Sequence, residues 1–194
     1  ALDPFIVAKM GAGNAPAYRG TAYVVFEELP LEKFGNRIPQ LSFEVIRPSL
    51  ADGSAESMIR AVNLIPGAGE FIYATETITR SSSGTTVAEN QNSTFGKADL
   101  SASLDNLEQV APNLESVSLV VSWFGTDLRA GSCLIQPGVE TTTKSTSPKS
   151  WSVNGVTRTG AHLISQVGGA AAFGGTPADF AVVQAIQDLK ARGK

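Results

Sequence analysis

The most informative segment for the fold is residues 15–45, APAYRGTAYVVFEELPLEKFGNRIPQLSFEV. Two apolar runs, residues 21–26 and 41–46, flank a connector rich in proline, glycine and charge, residues 29–40. Apolar runs of this length on either side of chain-breaking residues predict two β-strands joined by a shaped loop. The connector is longer than a tight hairpin turn, which indicates a role beyond joining the strands.

Four hydrogen-bonding side chains project from this connector: Glu32, Lys33, Asn36 and Arg37. They fit a solvated loop, and they fit equally well a contact with a neighbouring subunit. The residues alone leave both interpretations open.

Composition limits the classes of function. The 194-residue chain is 42% hydrophobic, which is enough for a core, and it has a net charge of −3 with no basic tract. Binding to nucleic acid therefore has little electrostatic support. No apolar run approaches the roughly 20 residues of a membrane-spanning helix. The start of the chain lacks the pattern of a secretory signal, and the chain is expected to begin within a longer protein.

The first part of the chain predicts mainly β-structure. A short helix is predicted over residues 55–64, with Ser54 as its cap, and a strand over residues 70–77. Residues 81–93 are rich in Ser, Thr, Asn and Gly, which is typical of a linker. The predicted organisation is a β-rich segment (1–80), a linker (81–93) and a second domain (94–194).

The second domain shows clearer signals. Leucines spaced along one face predict a helix over residues 100–110, and residues 116–123, SVSLVVSW, predict a strand of a parallel sheet. After a long loop, a helix with Thr176 as cap and Gly193 as terminator is predicted. A strand–helix unit normally leads to a second parallel strand. Either that strand is supplied elsewhere, or the chain is a fragment of a longer protein, which we expect.

The reactive side chains in the sequence do not combine into a recognisable catalytic set. Cys133 and His162 are the only residues of their types, and an incidental thiol is favoured over a nucleophile–base pair. The glycines near residues 11–16 and 168–175 fit turns better than phosphate-binding loops. No catalytic, cofactor-binding or metal-binding residue is assigned.

The sequence of residues 15–45 resembles that of the baseplate hub proteins of long-tailed bacteriophages and gene transfer agents. Residues 120–140, VVSWFGTDLRAGSCLIQPGVE, and 171–193, AAFGGTPADFAVVQAIQDLKARG, resemble the opening of the glycoside-hydrolase-like (β/α) barrel domain in the large tail protein of the same family. The resemblance implies a mixed α+β chain: a β-rich tail-hub segment, then the first strand–helix unit of a barrel.

The resemblance also implies a function. It predicts a structural, non-enzymatic component of a particle's tail tip that contacts identical copies in a homotrimer and adjacent tail proteins, without a cofactor. At the mouth of such a barrel, Trp123, Asp127 and Arg129 would face a host-surface glycan. The structural alternative is a packed Trp and a loop salt bridge. A tail-borne glycan hydrolase or glycan-binding module is the alternative function, although the catalytic carboxylate pair would lie on strands outside this chain.

Overall fold

A computed structural model of the chain describes residues 4–11, 13–14, 24, 26, 28–43, 53–65, 69–82, 84–93 and 95–194. The chain divides into two units, Ala1–Val45 and Ile46–Lys194. The predicted linker, residues 81–93, lies inside the second unit, so the division seen in the structure falls earlier in the chain than the predicted one.

The described helices are α1 (Pro4–Met10), α2 (Ala55–Met58), α3 (Asp99–Val110) and α4 (Asp179–Ala191). The strands are β1 (Ala61–Leu64), β2 (Thr79–Ser82), β3 (Thr85–Ala88), β4 (Ser116–Leu119), β5 (Phe124–Gly125), β6 (Ile135–Gln136), β7 (Gly138–Val139), β8 (Thr146–Ser147), β9 (Ser152–Val153), β10 (Val156–Thr157), β11 (His162–Leu163), β12 (Gln166–Val167) and β13 (Ala170–Ala171). The described architecture is mixed α+β. Its sheets have two or three strands each, and within the described ranges none closes into a barrel.

In the first unit the structure describes helix α1 and the connector. The connector contains a 3-10 turn, Leu31–Phe34, which ends at Gly35 in the left-handed conformation (φ 64°). Most of the predicted strand 21–26 and the end of the predicted strand 41–46 lie outside the described residues. The described residues 41–43 have no regular secondary structure.

The core of the second unit packs helices α3 and α4 around a short parallel sheet and an irregular segment, residues 70–78. Leu100 and Leu104 of α3 and Leu189 of α4 are buried in one hydrophobic cluster together with Phe71 and Tyr73. Helix α3 matches the predicted helix over residues 100–110, because its leucines repeat at helical spacing.

Strand β4 pairs in parallel with β1, in the register Ala61 with Ser116 to Leu64 with Leu119. The strand predicted over residues 116–123 is shorter than predicted and ends at Leu119, and its parallel partner comes from earlier in the chain. The Tyr73 hydroxyl lies 2.9 Å from the Leu64 carbonyl oxygen and 2.8 Å from that of Val120, where the two strands end.

The predicted helix over residues 55–64 is wrong in its second half. Ser54 does cap α2, because its Oγ accepts the backbone N–H of Ser57 at 3.2 Å. The helix ends at Met58, and residues 61–64 form β1 instead. Pairing with β4 satisfies the backbone of this segment and overrides its helical spacing.

The predicted strand over residues 70–77 is also wrong, since these residues form turns. Buried Asn90 holds the turns in place. Its Nδ2 donates to the carbonyl oxygens of Ala74 and Glu76 at 3.1 and 2.9 Å, and its Oδ1 accepts the N–H of Ile78 at 2.8 Å. The strand begins only afterwards, at β2, which pairs with β3 and β8.

Helix α4 confirms the predicted C-terminal helix but not its predicted cap. Ala178 precedes the helix, whereas the Thr176 hydroxyl accepts the N–H of Gly138 at 2.9 Å, so Thr176 joins this segment to β7. Asp188 and Arg192 pair at 3.1 Å, as their spacing predicts. Gly193 follows the helix with a φ of 75°, which suits a terminating glycine.

Candidate functional site

The four predicted contact residues of the connector, Glu32, Lys33, Asn36 and Arg37, are all exposed. Glu32 and Lys33 lie within the 3-10 turn, and Asn36 follows the turn in the left-handed conformation (φ 57°). Between and beside these polar groups, Phe34 is 45% exposed. The connector thus presents charge and apolar surface side by side, a mixture that protein interfaces use.

The three predicted glycan-contact residues lie before and within an exposed arm formed by β5 and β6. Trp123 is 42% exposed immediately before β5. Asp127 and Arg129 bind each other in the loop between the strands: Nη2 of Arg129 donates to Oδ2 of Asp127 at 2.6 Å, and Nε donates to Oδ1 at 3.0 Å. This hydrogen bond from Arg129 lowers the pKa of Asp127. The pair therefore has the geometry of a loop salt bridge.

Cys133 and His162 both lie against β5 but are not hydrogen-bonded to each other. The Cys133 thiol lies 3.8 Å from the carbonyl oxygen of Leu134, and the His162 ring packs against Phe124 with centroids 6.1 Å apart. This geometry gives no thiolate–imidazole pair.

The second unit contains a buried ion pair that the sequence did not indicate. The carboxylate of Glu70 is fully buried and takes a two-point contact from Arg158, with Nη1 to Oε1 at 2.8 Å and Nη2 to Oε2 at 2.6 Å. Oε1 of Glu70 also accepts the backbone N–H of Glu140 at 2.7 Å. Because 88 residues separate Glu70 from Arg158, no local spacing could have predicted the pair.

Lys144 extends this ion pair into a cluster. Its ammonium donates to Glu140 at 2.6 Å and to Glu89 at 2.7 Å, and it lies 3.3 Å from Glu70. Burial by itself lowers the pKa of Lys144, but the hydrogen bonds to Glu140 and Glu89 and the charge of Glu70 outweigh it, so the net pKa is raised. Lys144 is thus held as a cation and is not a nucleophilic amine.

Glu89, Glu140 and Lys144 of this cluster form the charged wall of a cleft of about 520 Å³, which we name the Lys144 cleft. Arg80 closes the charged wall by pairing with Glu89 at 2.6 Å. The other walls consist of the following residues: Thr141, Thr142, Leu163, Gln166, Gly169, Ala170 and Ala171. The lining is predominantly polar and contains no aromatic side chain.

The cluster is not arranged for acid–base catalysis. Glycoside hydrolysis needs one protonated and one ionised carboxyl on opposite sides of an open space. Glu89 and Glu140 instead bind the same ammonium, which occupies the space between them. No group of His, Cys, Asp and Glu in the described ranges is placed to hold a metal ion.

The fold and the site define a mixed α+β chain with small sheets and a buried ion cluster beside a polar cleft. Among the described residues, no helix combines the length and apolar character that a membrane crossing needs. Comparison of the sequence with models of protein families and with curated proteins finds no match.

Proposed function

We propose that this chain is a structural component of the tail-tip baseplate hub of a phage or gene transfer agent particle. The proposal rests on the sequences of residues 15–45, 120–140 and 171–193, which resemble the hub and barrel-opening segments of that family in the same order. The exposed connector supports it, because Phe34 and Ile38 remain 45% and 81% exposed beside the four polar contact residues.

The finer fold in this proposal is a β-rich hub segment followed by the first strand–helix unit of a (β/α) barrel. Two features are consistent with it. Leu119 of β4 joins the same hydrophobic cluster as Leu189 of α4, and β4 is parallel to its neighbour β1, which lies within residues 1–80 and so would pair the hub segment with the barrel strand. Parallel strands covered by helices are the repeating element of such barrels.

The proposal assigns partners and a location. Identical copies would meet in a homotrimer, with Glu32, Lys33, Asn36 and Arg37 in the subunit contact, and neighbouring baseplate proteins would bind alongside. The assembly would lie at the tail tip of the particle after forming in the bacterial cytoplasm, and it would serve host attachment and DNA delivery.

Cryo-electron microscopy of purified particles tests the proposal. We expect density for this chain at the tail tip, and its absence there would overturn the proposal. A variant with alanine at the four connector positions should lower the yield of complete tails, whereas Arg129→Ala, which changes an exposed charge elsewhere, should assemble normally. Equal yields from both variants would remove the connector from the subunit contact.

A second candidate is a tail-associated glycan hydrolase or glycan-binding module. The exposed face of Trp123 favours it, because an indole ring beside a strand end is suited to stack on a sugar. Trp123→Ala should then weaken particle adsorption to host cells and leave assembly intact, with Phe173→Ala, another exposed aromatic, as control. Clearing of host cell wall by the full-length protein would support hydrolysis, and its absence would leave binding alone.

A further inference from the structure

We propose that the exposed arm, residues 124–136, binds the surface of a lipid bilayer by placing its apolar side chains among the lipids. This inference goes beyond the proposed function and does not depend on it. It rests on the exposure of the apolar side chains, on the charges and on the backbone hydrogen bonds of the arm.

The arm is a narrow two-stranded ribbon that is fixed at its base. Strands β5 and β6 pair with Phe124 opposite Gln136. The Phe124 ring packs against His162, and it lies so close to Gly138 of β7 that a Cβ atom there would be 2.5 Å from the ring. The base of the arm is therefore held against β7, and residues 126–134 form the loop at its other end.

Three large apolar side chains of the arm are exposed to water. Leu128, in the loop, is fully exposed, and Leu134 and Ile135 are 72% and 67% exposed. Leu134 continues the ladder of the ribbon, because its carbonyl oxygen accepts the N–H of Thr126 at 3.1 Å. Consecutive side chains of an extended strand point to opposite sides. The arm is thus apolar in its loop and on both sides of the ribbon.

Apolar groups on both sides favour a fluid partner over the flat face of another protein. A protein that lay against one side of the ribbon would leave the side chain on the other side in water. Acyl chains, in contrast, close around an inserted arm and cover Leu128, Leu134 and Ile135 together. The gain from removing apolar surface from water grows with the area covered, so this pattern of exposure favours a lipid surface.

The arm carries no net charge. Its only charged residues are Asp127 and Arg129, which bind each other at 2.6 Å. Shallow insertion, of the depth that interfacial helices reach, keeps this pair at the level of the headgroups. A neutral arm gains little from anionic headgroups, and the net charge of −3 on the chain adds no attraction to them. We therefore expect zwitterionic lipid to bind about as well as anionic lipid.

Several backbone N–H groups of the loop have partners within the arm. The N–H of Arg129 donates to Oδ1 of Asp127 at 2.8 Å, and the N–H of Ser132 donates to the carbonyl oxygen of Arg129 at 2.9 Å. The N–H of Leu134 donates to Oγ1 of Thr126 at 3.0 Å. Unpaired backbone groups oppose entry into lipid, so these bonds reduce the cost of shallow insertion.

Co-sedimentation of the 194-residue chain with vesicles tests the proposal. The probes are vesicles of phosphatidylcholine alone and of phosphatidylcholine mixed with phosphatidylglycerol, each with and without added salt. We expect saturable binding to both kinds of vesicle and little change with salt, because ions screen charges and not apolar contacts.

Fluorescence locates the contact. Trp123 is exposed immediately before β5, whereas Trp151 is buried. Brominated phosphatidylcholine should therefore quench the emission of Trp123, and the quenching should be lost in Trp123→Phe, in which Trp151 is the remaining tryptophan.

Variants identify the side chains that enter the lipid. Leu128→Ser and Ile135→Ser should each weaken vesicle binding about tenfold, because each removes one large apolar side chain from the contact. The double variant should weaken it about a hundredfold if the two effects add. Met58→Ser is the matched control, since Met58 is 65% exposed outside the arm, and it should bind as the unmodified chain does. All these positions are exposed, so urea denaturation should give the same midpoint for each variant.

Several results would overturn the proposal. They are no binding of the unmodified chain to either vesicle, binding that requires phosphatidylglycerol and is lost in salt, no quenching of Trp123, or equal binding by the double variant and the unmodified chain. Self-association that the double variant abolishes, without vesicle binding, would assign the arm to a protein contact instead. The first three results come from the unmodified chain, so they decide the question even where a variant fails to fold. Each outcome leaves the tail-hub proposal open, since the position of the chain in particles tests that proposal.

Discussion

Asn90 shows how one side chain can hold an irregular segment in place. It is fully buried, and its amide binds three backbone groups of residues 74–78 that a helix or a sheet would otherwise satisfy. Buried backbone groups left without a partner cost free energy. The turn segment therefore depends on Asn90 for its conformation.

Replacing Asn90 with alanine tests this dependence. Asn90→Ala should lower the free energy of unfolding by about 3 kcal/mol, because it leaves the buried Ala74 carbonyl, the partly buried Glu76 carbonyl and the Ile78 N–H unpaired. Asn113→Ala is the matched control, since Asn113 makes a single exposed hydrogen bond to the Ser57 carbonyl, and it should lose less than about 1 kcal/mol. Urea denaturation measures both, and equal losses would contradict the role of Asn90.

Lys144 predicts an alkaline dependence of stability. Its pKa is raised in the folded chain because the contacts to Glu140, Glu89 and Glu70 outweigh the opposing effect of burial. The folded state therefore holds this proton more tightly than the unfolded state does. The stability that it contributes is complete below the ordinary lysine pKa and is lost as the pH rises through the raised pKa.

Urea denaturation from neutral pH to about pH 11 checks this sign. The unmodified chain should lose stability at the alkaline end, and Lys144→Met should be less stable at neutral pH but show a smaller alkaline loss. Lys33→Met, at an exposed position, should follow the unmodified chain. An identical alkaline slope in Lys144→Met would show that the cluster does not stabilise the protonated lysine.

At the scale of elements, the residues that precede helix α4 pack closely against β7 and against the turn segment that contains Glu70. A Cβ atom at Gly175 would lie 2.7 Å from the carbonyl oxygen of Gly138 and 2.9 Å from Cγ of Glu70. The N–H of Thr176 donates to that same carbonyl at 2.8 Å. Only glycine allows three segments distant in sequence to meet here.

Gly175→Ala should therefore lower the free energy of unfolding by about 1–3 kcal/mol, the cost of forcing atoms into a packed interior. Gly131→Ala is the control, because nothing lies within 4 Å of the Cβ position there and the backbone needs no positive φ. Calorimetry should give a lower melting temperature for the first variant only. An unchanged melting temperature for Gly175→Ala would mean that the neighbouring atoms move aside without a loss of stability.

At the scale of the whole molecule, the hydrophobic cluster lies entirely within the second unit. Its members fall between Leu64 and Leu189, whereas in the first unit the described residues include no buried side chain. A unit that contains its own core can fold by itself. The second unit should therefore be stable alone.

A chain of residues 46–194 tests this expectation. It should unfold in one cooperative transition, with a free energy of unfolding close to that of the 194-residue chain, when followed by the fluorescence of buried Trp151. A broad transition or a large loss of stability would show that residues 1–45 contribute to the core.

The sequence predicted the elements whose signals are local. The structure confirms the leucines of α3, the Asp188–Arg192 pair and the Ser54 cap, which all depend on residues a few positions apart. It confirms the strand predicted over residues 116–123 only for residues 116–119. The Asp127–Arg129 pair also forms as two neighbouring opposite charges would suggest. The contacts of Trp123 and of the connector with a glycan or another subunit stay predictions.

Tertiary structure alone decided the elements that depend on distant partners. Residues 61–64 become a strand because β4 is available to pair with them, and residues 70–77 become turns because Asn90 binds their backbone. Thr176 binds Gly138 instead of capping α4. In each case a long-range hydrogen bond is stronger than a local preference that amounts to a fraction of a kcal/mol per residue.

By itself, then, the sequence determined the mixed α+β class, two helices, the strand that begins at Ser116 and the polar connector, since periodicity and charge spacing act over one or two turns of chain. The tertiary structure decided where Glu70, Glu89, Glu140, Lys144 and Arg158 meet and that a cleft opens beside them. Buried charges need opposite charges at contact distance, and the chain brings those together across 88 residues between Glu70 and Arg158, a separation that no sequence pattern encodes.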